Sequence, residues 1–227
     1  MRKKKPVHVA IIMDGNRRWA KKAGLSEIDG HRRGVETLVE ISKEALRLGA
    51  RYLTVYALST ENYQARAKDE IKGLLHLVSE GYVKYLPRLK KDGIRLNFIG
   101  DLESLPALTK RLINQAEKEL ARGDRGVLNI AINYGSRGEI VEAAKRISEK
   151  NLEFTEKNLH DSLYTGQIPE PDLLIRTGGE KRLSNFLLWQ ASYAELYFTD
   201  TLWPDFDKEE FAKAIEEFAA RKRNFGL

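Results

Sequence analysis

Six short apolar runs punctuate the chain: VHVAII (7–12), YLTVYAL (52–58), RLNFIG (95–100), VLNIAINY (127–134), DLLI (172–175) and, as a weaker sixth, ELYF (195–198). Their lengths and β-branched content predict strands, and their consecutive apolar positions predict burial on both faces. Between them the period changes. Val35, Leu38, Val39, Ser42, Ala45 and Leu46 recur at three- and four-residue steps and stop before Gly49, as a helix with a glycine terminus does. Ile71, Leu74, Leu75, Val78, Tyr82, Tyr85 and Leu89 predict a longer helix ending at Gly93, kinked or divided at Pro87. Helical spacing returns over 113–120 and 140–147, and again at Phe211, Ile215 and Phe218. Buried strands alternating with amphipathic helices predict an α/β fold with a central, mostly parallel sheet flanked by helices. No repeat or linker interrupts the pattern, and Pro169 and Pro171 mark a turn before DLLI.

Length and composition narrow this picture. At 227 residues and 42% hydrophobic, the chain can close one core, so a single domain over 1–227 is expected, with 1–6 as a basic tail. No run approaches the roughly 18 consecutive apolar residues of a bilayer span, and no signal region follows the basic start. The expectation is a soluble, cytoplasmic protein that can rest loosely on a membrane. The chain has no cysteine, so a metal would be held by carboxylate or histidine, which favours hard cations. The net charge of +6 is concentrated at the ends, in Arg2, Lys3, Lys4 and Lys5 and in Arg221, Lys222 and Arg223. The body is close to balanced, and nucleic acid is not the expected partner.

Ligands of parallel sheets bind at the carboxyl ends of the strands, so the residues after each run matter most. DLLI is followed by RTGGEKRLSN. Two glycines there could turn successive N–H groups toward one anion, with Arg176, Arg182 and Ser184 around it; a tight turn with surface arginines is the plain alternative. The first run is followed by MDGNRRW, where Gly15, Asn16, Arg17 and Arg18 form a second anion cradle at a helix N-terminus. Asp14 conflicts with a phosphate unless a magnesium ion lies between them, or unless it caps the helix or pairs with Arg17 or Arg18. The series Ser59, Thr60, Glu61, Asn62 reads either as a helix cap or as a polar platform beside the anion sites. His31, in GHRRG, stands beside two arginines, whereas His8, His76 and His160 look incidental. No Walker A loop, GxGxxG or catalytic triad spacing is present. Two anion sites, a metal carboxylate and many apolar helix faces suggest a substrate carrying both diphosphate and hydrocarbon.

HVAIIMDGNRRWA, GHRRG, STENY, NYGSRGEI, DLLIRTGGEKRLSNFLLWQ and YAELYFTDTLWPDF together resemble the cis-prenyltransferases, the family of undecaprenyl diphosphate synthase, in the family's order and from about residue 7 to 226. The resemblance implies a homodimer with a hydrophobic tunnel and a Mg²⁺-dependent condensation. Isopentenyl diphosphate would add to an allylic diphosphate, farnesyl or geranylgeranyl, giving a cis-polyprenyl diphosphate that partitions to the membrane, and pyrophosphate. It implies that Asp14 is the essential metal-binding acid, that Gly15, Asn16, Arg17, Arg18 and His31 hold the allylic diphosphate with Trp19 beside them, and that Arg176, Arg182, Leu183 and Ser184 form the isopentenyl site. Glu195 would be a second metal carboxylate, reached across the dimer. Asn62, with Ser59, Thr60 and Glu61, would lie near the condensing carbons, and Tyr63 and Arg66 would complete that loop.

Three positions depart from the family pattern. Glu27 stands where arginine is usual, the loop Glu61 to Ala67 carries one extra residue and ends in alanine instead of proline, and Asn224 replaces an arginine near the C-terminus. The competing readings are a non-catalytic prenyltransferase subunit, which would lack the Asp14 and RTGGE groups, a phosphatase or nucleotide enzyme, and a polyanion-binding module. The last should show affinity that falls steeply with salt.

Overall fold

The computed structural model describes residues 5–221; the remaining basic residues of both tails and Asn224 lie outside them. All six expected strands form: β1 (His8–Ile12), β2 (Tyr52–Ser59), β3 (Ile94–Ile99), β4 (Gly126–Tyr134), β5 (Leu173–Arg176) and β6 (Glu195–Phe198). They make one sheet in the order β3-β4-β2-β1-β5-β6, and every pairing is parallel. The helices are α1 (Asn16–Lys22), α2 (Glu27–Leu48), α3 (Thr60–Ala65), α4 (Lys68–Lys91), α5 (Ala107–Leu120), α6 (Ser136–Glu149), α7 (Glu156–Ser162) and α8 (Lys208–Ala220).

Alternation along β1 divides the interior. Val9 and Ile11 join Leu38, Ile41 and Ala45 of α2 and Phe211, Ile215 and Phe218 of α8 in one core. Ala10 and Ile12 pack instead with Phe186, Leu187 and Ala191, in the segment between β5 and β6. A chain of buried polar groups crosses the middle of the sheet. His8 Nδ1 faces the Pro169 carbonyl and must carry the proton, so Nε2 accepts from Thr54 Oγ1 at 2.7 Å. Asn129 donates to that same hydroxyl, and Asn97 donates to Asn129. Each link joins neighbouring strands, so a slip of register would strand several buried polar groups. His8 is therefore structural.

α4 runs unbroken through Pro87, so the expected division does not occur. The carbonyl deprived of its partner belongs to Val83, which is 76% exposed, and water can replace the missing donor there. α2 begins eight residues before its apolar pattern, because Ser26 caps it by accepting from the Asp29 amide. Gly30 and Gly34 explain the GHRRG spacing. A Cβ at Gly30 would lie 2.3 Å from the Asn16 carbonyl oxygen, and one at Gly34 2.3 Å from Asn16 Oδ1, so glycine lets α1 press against α2.

The chain runs from β1 outward through β2 and then crosses to β5 on the other side of β1. The strand order therefore reverses between β1 and β5, and the carboxyl edge at such a reversal opens a crevice. Beneath it lies a cavity of about 1020 Å³. Its walls include Leu74, Val78, Tyr85 and Leu89 of α4, Phe98 and Leu96 of β3, and Ile132, Ile130 and Leu128 of β4. From Leu74 to Leu89 the lining follows α4 for roughly 22 Å at a helical rise of ~1.5 Å per residue, in keeping with the hydrophobic tunnel that the resemblance implied.

Candidate active site

The two loops that leave β1 and β5 are bound to each other. Thr177, fully buried, accepts from the Asp14 amide at 3.0 Å and donates to the Asp14 carbonyl at 2.8 Å. The Trp203 amide donates to the same carbonyl. With its backbone clamped, Asp14 presents a carboxylate that accepts from Arg18 at 3.0 Å and from Arg176 at 2.9 Å. It does not cap α1, whose N-cap is Gly15 at φ 117°, with no side-chain bond. Gly15 is required twice over, since a Cβ there would also lie 2.9 Å from Leu202 Cα. The first internal bond of α1 runs from Trp19 N to Gly15 O, so the preceding amides of Asn16, Arg17 and Arg18 point outward at the positive end of the helix.

The glycines of RTGGE work differently from the expectation. The Gly178 amide donates to Thr201 O and the Gly179 amide to Thr199 O, both at 2.8 Å, so these groups are consumed in tying the loop to the residues after β6. Both glycines sit at φ 82°, and a Cβ at Gly178 would come within 2.5 Å of Arg18 Nη2. Their contribution is a left-handed turn and a close approach. The donors of this half-site are side chains: Arg182 and Ser184 are exposed at the mouth, while Arg176, 3% exposed, stands behind them and donates to the Arg182 carbonyl and to Ser184 Oγ.

On the other rim, Arg17 pairs with Glu27 at 2.7 Å and Arg66 with Glu70 at 2.6 Å. Glu27, where the family pattern has arginine, thus holds one of the cradle's own cations. His31 lies between these groups. Burial, then the charges of Arg66 and Arg17, push its pKa down to about 4 against the pull of Glu27, so it is neutral near pH 7. Its Nε2 is buried without a partner, as are Arg176 Nε and Asn16 Oδ1. Such orphaned groups at a cavity mouth fit a site built for a ligand. Ser59 caps α3 by accepting from the Asn62 amide, so the capping reading of that series holds for it. Glu61 accepts from Asn185. Burial raises its pKa, but the bonds from Asn185, its own amide and Ser59, with the charge of Arg137, bring it below the ordinary value.

The cavity lining gathers Asp14, Gly15, Asn16, Arg17, Arg18, His31, Ser59, Glu61, Asn62, Arg66, Arg176, Arg182 and Ser184. Five expected residues lie elsewhere. Trp19 donates to Asp205, Tyr63 donates to the Ser104 carbonyl, Leu183 packs against the second core, and Thr60 Oγ1 lies beside Gly135. Glu195 opens β6 opposite Leu173, whereas Phe198 pairs with Arg176, so it stands three residues from the strand's carboxyl end and ion-pairs with Arg221 at 2.8 Å. Arg137 and Asn185 join the lining without having been singled out. Asn185 could have been suspected, because its left-handed φ of 62° suits an asparagine that accepts from the Arg137 amide while donating to Glu61.

A family model described as "Putative undecaprenyl diphosphate synthase" matches residues 12–226. The chain belongs to this prenyltransferase family. An isoprenyl transferase of Streptococcus mutans is 49% identical over 97% of this chain and 93% of its own, and one of Thermotoga maritima is 46% identical over 97% of each. Among solved structures, lavandulyl diphosphate synthase from Lavandula x intermedia in complex with dimethylallyl diphosphate superposes with a TM-score of 0.93 at 36% identity, covering 98% of this chain and 99% of that one. A probable undecaprenyl diphosphate synthase from Campylobacter jejuni gives 0.85 at 39% identity, covering 99% and 100%. The protein is a transferase of the prenyltransferase type, and its family's activity is cis-prenyl chain elongation.

Proposed function

We propose that this prenyltransferase condenses isopentenyl diphosphate with an allylic diphosphate, farnesyl or geranylgeranyl, to give a cis-polyprenyl diphosphate and pyrophosphate. The observation that carries the reading is the Asp14 carboxylate between Arg18 and Arg176, at the polar mouth of an otherwise apolar cavity of about 1020 Å³. The dimethylallyl diphosphate named with the lavender synthase is itself an allylic diphosphate, which supports the substrate class.

The residues fit a magnesium ion that arrives with its substrate. Asp14 is 28% exposed in its side chain, and no group of three His, Asp or Glu is assembled among the described residues. A single carboxylate suits Mg²⁺, which takes its other ligands from phosphate oxygens and water. Bound there, the ion would neutralise charge developing on the departing diphosphate. In a homodimer, Glu195 of the edge strand β6 would be the second carboxylate.

The chain's own groups supply the rest. Outward amides of α1 with Arg17, Arg18 and His31 hold the diphosphate that leaves; Arg182 and Ser184, fixed from behind by Arg176, hold the one that stays. Donors already in place for both anions align the isopentenyl double bond with the allylic carbon and lower the cost of charge separation. Asn62, an amide and a poor base, serves orientation at the mouth. The apolar walls take up the growing chain. Purified protein with Mg²⁺, radiolabelled isopentenyl diphosphate and farnesyl or geranylgeranyl diphosphate should release pyrophosphate and yield a labelled polyprenyl product, and chelation should stop it. Absence of turnover with both primers would overturn the assignment.

A further inference from the structure

The body of the chain is close to balanced in charge, but its unpaired cations are not evenly spread. Around the mouth, Arg17, Arg18, Arg66 and Arg182 each face a carboxylate. At the opposite, amino edge of the sheet, the turns before β3 and β4 carry RLKKDGIR (88–95) and KELARGDR (118–125), seven cations against three acids. Arg88, Lys90, Lys91 and Arg95 are exposed, as are Lys118, Arg122 and Arg125. Among the described residues, none of these seven makes an ion pair.

The fold joins them into one surface. The Arg125 amide donates to the Gly93 carbonyl, and a Cβ at Gly93 would meet the Arg125 side chain at 2.9 Å, so the two turns touch. Arg51, which leads into β2, donates to the Asp124 carbonyl at 3.3 Å, and Lys5, before β1, reaches over Gly49 beside it. Cations thus stand before four neighbouring strands, β1, β2, β4 and β3, in a row of roughly 14 Å at ~4.8 Å per strand. On α4, the exposed Val83 and Pro87 lie one turn apart next to Arg88 and Lys91. Behind the row is the far end of the apolar cavity: Leu89 and Leu96 line it, and each is one residue from an exposed cation. The field is one-sided, since α2 packs between α4 and α8, and α8 exposes Glu209, Glu216 and Glu217.

We propose that this amino edge is a docking face for an anionic lipid bilayer, which seats the far end of the cavity against the membrane and leaves the Asp14 mouth open to water. A bilayer suits the face better than nucleic acid does. Neither charged segment holds an aromatic side chain on which a base could stack, and the face backs onto a cavity shaped for hydrocarbon. An anionic surface attracts Lys and Arg within about a Debye length and repels diphosphates over the same distance. A mouth on the opposite edge therefore stays where such substrates are not depleted. That orientation rests on the proposed diphosphate chemistry, whereas the docking itself rests on the cations.

Co-sedimentation of the purified protein with phosphatidylcholine vesicles, with and without phosphatidylglycerol, tests it at low and high salt. Wild-type binding should need phosphatidylglycerol and disappear at high salt. Each cation near an anionic surface contributes about a fivefold gain in partitioning, so Lys90→Gln, Lys91→Gln and Arg122→Gln together should weaken binding by at least about thirtyfold. These exposed side chains line no cavity, so the melting temperature should not move. Removing equal charge elsewhere, by Lys21→Gln, Lys22→Gln and Lys208→Gln, should weaken binding by no more than about threefold. A wild type that ignores anionic vesicles, whether or not it retains single-stranded RNA, would overturn the inference, as would equal weakening by the two triple variants. Sedimentation needs no turnover, so failure of the substrate assignment would show separately, in the pyrophosphate assay.

Discussion

Asp14 Oδ2 accepts from Arg176 Nη2 at 2.9 Å, joining the first residues beyond one central strand to the last residue of its neighbour, 162 positions away in sequence. Because β1 and β5 flank the point where the strand order reverses, this pair sits where an open parallel sheet splits apart. Arg176 is buried and Asp14 partly exposed, so the guanidinium is the fixed partner and the carboxylate the one a ligand can reach. Replacing Asp14 by alanine should lower turnover by about 10²–10³, the loss expected when a preorganised charge-stabilising group is removed. The fold should survive, with stability reduced by about 1–3 kcal/mol for the partner lost to Arg176. Pyrophosphate release and thermal melting measure the two effects; retention of most activity would sink the metal role.

Arg17 and Glu27 make a second informative pair. Both side chains are about half exposed, 53% and 49%, so the bond contributes only ~0.2–1 kcal/mol. A diphosphate bound to Arg17 would share its guanidinium with Glu27, whose negative charge lies beside it. Glu27→Gln should therefore tighten the allylic diphosphate by no more than about fivefold, less at high salt, with kcat little altered. Substrate titrations at two ionic strengths would show it, and a weaker affinity in the variant would contradict the arrangement.

Glycines in two helices should respond in opposite directions. Gly30→Ala drives a methyl toward the Asn16 backbone oxygen at 2.3 Å, and since backbone cannot swing aside, about 1–3 kcal/mol of stability should be lost together with the seat of α1. Gly81, midway along α4, has nothing within 4 Å of a Cβ, and Gly81→Ala should stabilise by about 0.5–1 kcal/mol. Urea unfolding distinguishes the two signs.

Ala116 lies against the far part of the cavity, near Leu89, Leu96 and Leu128. Ala116→Phe should fill that end and shorten the product by at least one five-carbon unit. Chromatography of the labelled lipid reads the length directly, and an unchanged distribution would place the chain's end elsewhere.

Acid stability should depend on His8. Burial pushes its pKa down to about 4 despite the Pro169 carbonyl and Asp172, while an unfolded histidine titrates near 6.5. The unfolded chain therefore binds the extra proton first. The contribution of neutral His8 is fully present above about pH 6.5 and is lost as pH falls from there toward 4, by about 3 kcal/mol in total. His8→Asn should be less stable at pH 7 and show a flatter stability profile between pH 6.5 and 4; denaturant unfolding across that range is the measurement.

The sequence by itself determined the layers. Period-two and period-3.6 patterns are local, and consecutive apolar residues in the runs of β1, β2, β4 and β5 required burial on both faces, hence a mostly parallel sheet between helices, whereas β3 and the edge strand β6 are buried only in part. It also determined the candidate chemistry, since MDGNRR and RTGGEKRLS carry their donors contiguously. Strand order could not be read there, and strand order is what sets Asp14 against Arg176. Nor could the use of individual groups be read: the Gly178 and Gly179 amides look available until Thr201 and Thr199 arrive to accept them, and Glu139 looks like one more helix acid until the fold buries it beneath Gln190. α7 and the cap at Ser26 escaped because their signals are a single turn long. Local pattern decides which groups a chain can offer, but hydrogen bonds between residues far apart in sequence decide which of them remain free to meet a ligand.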